Sequence, residues 1–125
     1  MRDFAIHVTD RPGEIARVAN ALARKDVNIK SIAGMGFANQ AVIRIIADDV
    51  EAARNALREG NFRFEESELV TTLLENKAGE LAEVAGKLSN AGQNVLAVYV
   101  IGLEGDLVEL AFAVTDAKKA KKALE

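Results

Sequence analysis

The sequence predicts an α+β protein made of two copies of one small unit, with helices laid on one face of antiparallel strands. Three observations lead there. Part of the chain repeats itself at an offset of 66 residues. Within each copy the apolar period switches between that of a strand and that of a helix in a fixed order, and turn-forming residues fall at the switches.

The repeat is explicit. Gly13-Glu14-Ile15-Ala16-Arg17-Val18-Ala19 aligns with Gly79-Glu80-Leu81-Ala82-Glu83-Val84-Ala85, and the same offset pairs Leu22 with Leu88 and Asn28 with Asn94. Between 13 and 29, seven of seventeen positions are identical, more than two unrelated amphipathic helices would share. Further on the offset is 67, pairing Asp49 with Asp116, Ala53 with Ala120 and Leu57 with Leu124, so one residue is added in the intervening turn. The implied boundaries are 1–67 and 68–125. A unit of about 60 residues buries too little surface to be more than marginal alone, so the copies are expected to share a core or a sheet.

Each element of copy one has its own warrant. Phe4, Ile6 and Val8 alternate with Ala5, His7 and Thr9, the pattern of a half-buried strand. Ile15, Val18, Ala19 and Leu22 form the i, i+3, i+4, i+7 stripe of a helix with one buried face. Val27 to Ala33 reads as a second strand, Gly34 to Gln40 as a turn, and Ala41 to Ala47 as a third strand. Asp48 and Asp49 cap a helix that buries Val50, Ala53 and Leu57; Gly60-Asn61 ends it, and Phe62 to Ser67 forms a fourth strand. Copy two repeats the plan with strand Leu69–Leu74, helix Glu80–Ala91, strands Val95–Ile101 and Leu107–Val114, and helix Asp116–Leu124, without the last strand. The order βαββαβ is the ferredoxin-like plan. Val42, Ile46, Leu73 and Val98 are expected on the outer strand faces.

Composition removes most chemistry. With no cysteine and one histidine, His7, there is no thiolate metal site, cluster or cysteine nucleophile, and no convergent nucleophile, base and anion donor. A net charge of −3 and six aromatic residues argue against nucleic acid. The lysines of Lys118-Lys119-Ala120-Lys121-Lys122 read as the wet face of an amphipathic helix. Apolar runs are short, and the first residues show no secretory pattern, so a cytoplasmic protein without a membrane span is expected. Gly34, Gly36, Gly102 and Gly105 lie between strands and read as hairpin punctuation rather than a phosphate cradle.

The first turn of each copy is where binding chemistry is legible. Asp10 and Asn76 stand where an N-cap is wanted, and Pro12 suits a first helical turn. Gly13 and Gly79 allow a tight turn or the close approach of a ligand. Helix-start amides have no partner within the helix and favour a carboxylate, such as that of a free amino acid. Capping and ligand contact are compatible at Asp10 and Asn76, and Asn28 and Asn94 are open to either turn chemistry or binding.

Asp10-Arg11-Pro12-Gly13-Glu14-Ile15, followed by Asp26-Val27-Asn28-Ile29, resembles the signature of ACT domains, which control amino-acid metabolism allosterically. Glu75-Asn76-Lys77-Ala78-Gly79-Glu80-Leu81 and Gln93-Asn94-Val95 are similar, with Lys77-Ala78 in place of Arg-Pro. The resemblance implies two tandem ACT domains and a ligand-contacting loop of Asp10, Arg11, Gly13 and Glu14 in copy one, and of Asn76, Gly79 and Glu80 in copy two. It places Asn28 and Asn94 across an interface from such a loop. It further implies a non-enzymatic regulator without cofactor or metal that binds an amino acid or similar metabolite between ACT domains, forms a homodimer or larger homo-oligomer, and acts on a metabolic enzyme. The alternative is an ACT-fold assembly protein with no small-molecule ligand.

Overall fold

The computed structural model describes all residues, 1–125. Ten elements follow one another: β1 Arg2–Thr9, α1 Glu14–Ala23, β2 Ile29–Phe37, β3 Gln40–Ala47, α2 Val50–Glu59, β4 Arg63–Glu75, α3 Glu80–Asn90, β5 Val95–Glu104, β6 Leu107–Val114 and α4 Ala117–Leu124. They fall into two compact units, Arg2–Ser67 and Glu68–Glu125 with Met1.

In the unit Arg2–Ser67 the strand order is β2-β3-β1-β4. β1 and β3 run antiparallel with Phe4 opposite Ile45 and Ile6 opposite Ile43, so the alternation of β1 puts one apolar set on one face. Val18 and Leu22 of α1 and Ala53 and Leu57 of α2 pack with that set in a single core. Phe4, Ile6, Leu22, Ile45 and Leu57 are fully buried, each stabilising the unit by about 1.5–3 kcal/mol relative to exposure.

The unit Glu68–Glu125 has strand order β4-β6-β5 and two helices, βαββα. Val70 lies opposite Phe112, and Val84 and Leu88 of α3 and Ala120 of α4 complete the core over this face. The repeat extends to loop geometry. After α1 the chain turns through Asp26 at φ 57, and after α3 through Gly92 at φ 71, with Val27 N–H bonding Leu22 O and Gln93 N–H bonding Leu88 O.

Three expectations change. The turn expected at 34–40 shrinks to Ala38-Asn39, both left-handed (φ 50 and 70), and Gly34 and Gly36 belong to β2. Residues 63–75 form one strand rather than two, since no glycine, proline or turn pair interrupts their extended run. α2 does end at Gly60-Asn61, with Asn61 left-handed at φ 58 and Gly60 at φ −79, where a β-carbon would meet the Phe62 ring at 2.7 Å. Val98 stands opposite Phe112, on the helix side of its strand although exposed; Ile46 does face away from the core that holds Ile45, but is buried there.

Candidate functional site

The four helices start in two ways. α2 and α4 are capped by aspartates: Asp49 accepts from Ala52 N–H at 3.0 Å and Asp116 from Lys119 N–H at 3.2 Å. α1 and α3 start at left-handed glycines, Gly13 (φ 92) and Gly79 (φ 91), and no side chain caps them. Asp10 and Asn76, expected as N-caps, are set back from the helix starts, and their own N–H groups bond the hairpin carbonyls of Asn39 and Asp106. Pro12 lies in the turn ahead of α1 rather than in its first turn. The first amides of α1 therefore carry the helix dipole's positive end with no protein carboxylate or hydroxyl upon them.

Above that helix start lies a cavity of about 640 Å³ walled by Asp10, Pro12, Gly13, Ile15, Ile32, Gly34, Met35, Gly36 and Ile43. Such a volume fits a small-molecule site of mainly apolar lining with a few polar groups. Two glycines of β2 make room for it. A β-carbon at Gly34 would point into open space, and one at Gly36 would strike the Asp10 carboxylate. The strand registers set Gly34 opposite Ile43 and Gly36 opposite Ala41, and in the other unit Val100 opposite Leu110 and Leu103 opposite Val108. Val100 and Leu103 thus occupy the positions that glycines hold in the first copy. Asn76, Gly79 and Glu80 share the turn geometry of the first copy but face a wall with bulkier side chains.

Glu14 borders the cavity and is buried, its carboxylate held by Arg11 Nε at 2.9 Å and Arg17 Nε at 2.7 Å. The hydrogen bond from Arg17 is the main cause, and the one from Arg11 a further one, that holds its carboxyl below the usual carboxylate range. Its counterpart Glu80 is more exposed and meets only Lys77, at 3.7 Å.

Asn28 and Asn94 are not brought to these loops within their own units. Phe37 of β2 pairs with Gln40, which pairs with Thr9, so Asp10 lies at one end of the strands; Ile29 pairs with Ala47 at the other end, where Asn28 stands. The Asn28 backbone makes two bonds with Asp48, accepting from its backbone N–H at the carbonyl and donating its own N–H to the side-chain Oδ1 at 3.0 Å. Asn94 N–H donates to Thr115 Oγ1 at 3.3 Å. Both side chains are exposed.

The residues that sequence reasoning missed are the wall of the cavity, Ile32, Gly34 and Gly36. Their two-residue spacing is itself a strand signal and places all three on one face. No group of three histidine, cysteine, aspartate or glutamate side chains is placed to hold a metal ion. No helix is long and apolar enough to cross a membrane.

No protein-family model and no curated protein matches the sequence. Solved structures do. Protein BT0572 from Bacteroides thetaiotaomicron is similar over 98% of this chain and 85% of its own, with a TM-score of 0.84 and 22% identity. The ligand-free regulatory subunit of aspartate kinase from Thermus thermophilus is similar over 98% and 88%, with a TM-score of 0.68 and 17% identity. Escherichia coli aspartokinase III, solved with lysine and aspartate, is similar over 98% of this chain and 29% of its own, with a TM-score of 0.57 and 18% identity. These likenesses establish the fold, an ACT-like arrangement of antiparallel strands and helices.

Proposed function

We propose that this protein is a non-catalytic, cytoplasmic regulatory module of two tandem ACT domains that binds a free amino acid and couples binding to self-association and to control of a metabolic enzyme. The observation that carries the reading is the cavity at the start of α1. Uncapped amides at Gly13–Ala16 suit the ligand carboxylate, the Asp10 carboxylate suits its ammonium, and Ile15, Ile32 and Ile43 suit an apolar side chain. The aspartate kinase regulatory subunit among the similar structures supports the same class of role.

Asn28 joins this site through a second copy. β2 is an outer strand, and Ile32, Met35 and Phe37 on it are exposed. Two β2 strands laid antiparallel about a two-fold axis would bring the start of each to the end of the other, and so Asn28 of one copy to the Asp10 loop of its partner. The same exposed strand favours the second reading, an assembly protein with no ligand.

Thermal unfolding against each of the twenty amino acids separates the two. A ligand selective for the folded state stabilises it by about 2.7 kcal/mol at one hundred times its Kd. One or a few stabilising amino acids, with the effect lost in Asn28→Ala, support the sensor. No shift from any of the twenty, with a stable homodimer, supports assembly alone.

A further inference from the structure

Next to the amino-acid cavity, and sharing Arg11 and Glu14 with it, lies a second cleft of about 320 Å³, bordered further by Arg17, Arg63, His7 and Gln40. Its side chains are chiefly polar, unlike those of the amino-acid cavity. Three arginines and one carboxylate line it, with Glu65 at its edge on His7, an excess of positive charge in a protein whose net charge is −3. The one histidine at the rim, His7, hydrogen-bonds Glu65 at 2.9 Å.

Two of the arginines are held in place with donors to spare. Arg11 and Arg17 bond Glu14 through Nε alone, so the terminal Nη groups of both remain available. Arg17 is further held with its guanidinium 4.3 Å from the centre of the Phe62 ring. Arg63, at the start of β4, has no hydrogen-bond or ion-pair partner. Glu14, buried beneath, uses one oxygen for each arginine and so keeps both side chains in place while lowering the cleft's charge by one.

The fold does not require these charges. At the equivalent positions of the second copy Arg11 becomes Lys77 and Arg17 becomes Glu83, while the glycine turn and the apolar helix stripe are kept. Lys77 is occupied with Glu75 and Glu80.

We infer that the Arg11–Arg17–Arg63 cleft is a binding site for a phosphate dianion, either inorganic phosphate or the phosphoryl group of a small metabolite, adjoining the amino-acid cavity. Planar guanidinium forks supplied by the helix-start turn, α1 and β4 suit the oxygens of a tetrahedral dianion, and the excess of arginine over carboxylate suits its charge. The Nη groups of Arg11 and Arg17 take two oxygens, and Arg63, the third arginine of the lining, supplies a further donor.

Calorimetric titration of the full chain with inorganic phosphate at constant ionic strength tests this, with glycerol phosphate and acetate as further probes. Saturable 1:1 binding of phosphate, little binding of acetate, and a loss of roughly tenfold or more in affinity in both Arg63→Ala and Arg17→Ala are expected. Tighter binding of glycerol phosphate than of phosphate points to a metabolite's phosphoryl group, and equal binding to free phosphate. Arg63→Ala removes no hydrogen bond or ion pair of the folded chain, so an unchanged melting temperature reports intact folding. Absence of saturable binding, or unchanged affinity in Arg63→Ala, overturns the inference.

Discussion

The Asp10 carboxylate lies against the α-carbon of Gly36, so close that a β-carbon at 36 would stand 2.5 Å from Oδ2 and 2.8 Å from Cγ. A loop residue and a strand residue thus form one wall between them, and the glycine sets where the carboxylate can sit. Gly36→Ala is expected to push Asp10 out of place at little cost in stability, under about 1 kcal/mol, because the atoms it meets are the end of an exposed side chain. Affinity for the stabilising amino acid falls at least about tenfold, roughly the loss of one charge-assisted hydrogen bond. Calorimetry beside urea unfolding reads the two effects separately.

Gly13 and Gly79 carry the two uncapped helix starts at φ 92 and 91. An L side chain is disfavoured there by about 1–2 kcal/mol. Gly13→Ala and Gly79→Ala are each expected to lower stability by that amount, although a β-carbon at either site meets nothing within 4 Å. Equal losses in the two variants, measured in urea, would show that backbone conformation rather than space is the constraint.

The caps separate along the same division. Asp49→Ala and Asp116→Ala remove a side-chain acceptor from α2 and α4 and are expected to cost about 1 kcal/mol each. Asp10→Ala and Asn76→Ala remove no cap and are expected to change stability much less. A loss at Asp10 as large as that at Asp49 would contradict the uncapped helix start.

Acid sensitivity should centre on Glu66 and Glu14. Arg54 donates to Glu66 at 2.6 and 2.8 Å, with Arg2 at 3.3 Å, and Arg54's hydrogen bonds chiefly hold the Glu66 carboxyl below its usual 4.5. A carboxyl whose folded value is depressed gives its full stabilisation above the unfolded value and loses it as pH falls through the folded one. Stability should therefore decline below about pH 4.5, and Glu66→Gln should flatten that decline in urea unfolding at a series of pH values.

The order of strands and helices was legible because side-chain period follows from backbone geometry and needs no tertiary knowledge: Phe4, Ile6 and Val8, and Val18 and Leu22, all fall in the core as their spacing requires. The helix starts were less so. Asp10 has the right chemistry for a cap, but Gly13, three residues on, takes a left-handed conformation that starts the helix without it. Gly34 and Gly36 read as turn residues by composition, and their role follows only from the register that sets them opposite Ile43 and Ala41. The arginine cleft was hidden for another reason. Arg63 is distant in sequence from Arg11 and Arg17, and only the placement of β4 beside β1 brings it to them.

Binding of an amino acid at the start of α1 would be seen residue by residue in backbone amide chemical shifts. On titration with the stabilising amino acid, the account predicts the largest shifts at Asp10 and Gly13–Ala16 and at Ile32–Gly36, with Asn28 moving if a second copy completes the site. Shifts confined to Asn76–Glu80 and Val95–Leu103, or none at any amide while an amino acid still stabilises the protein, would contradict it.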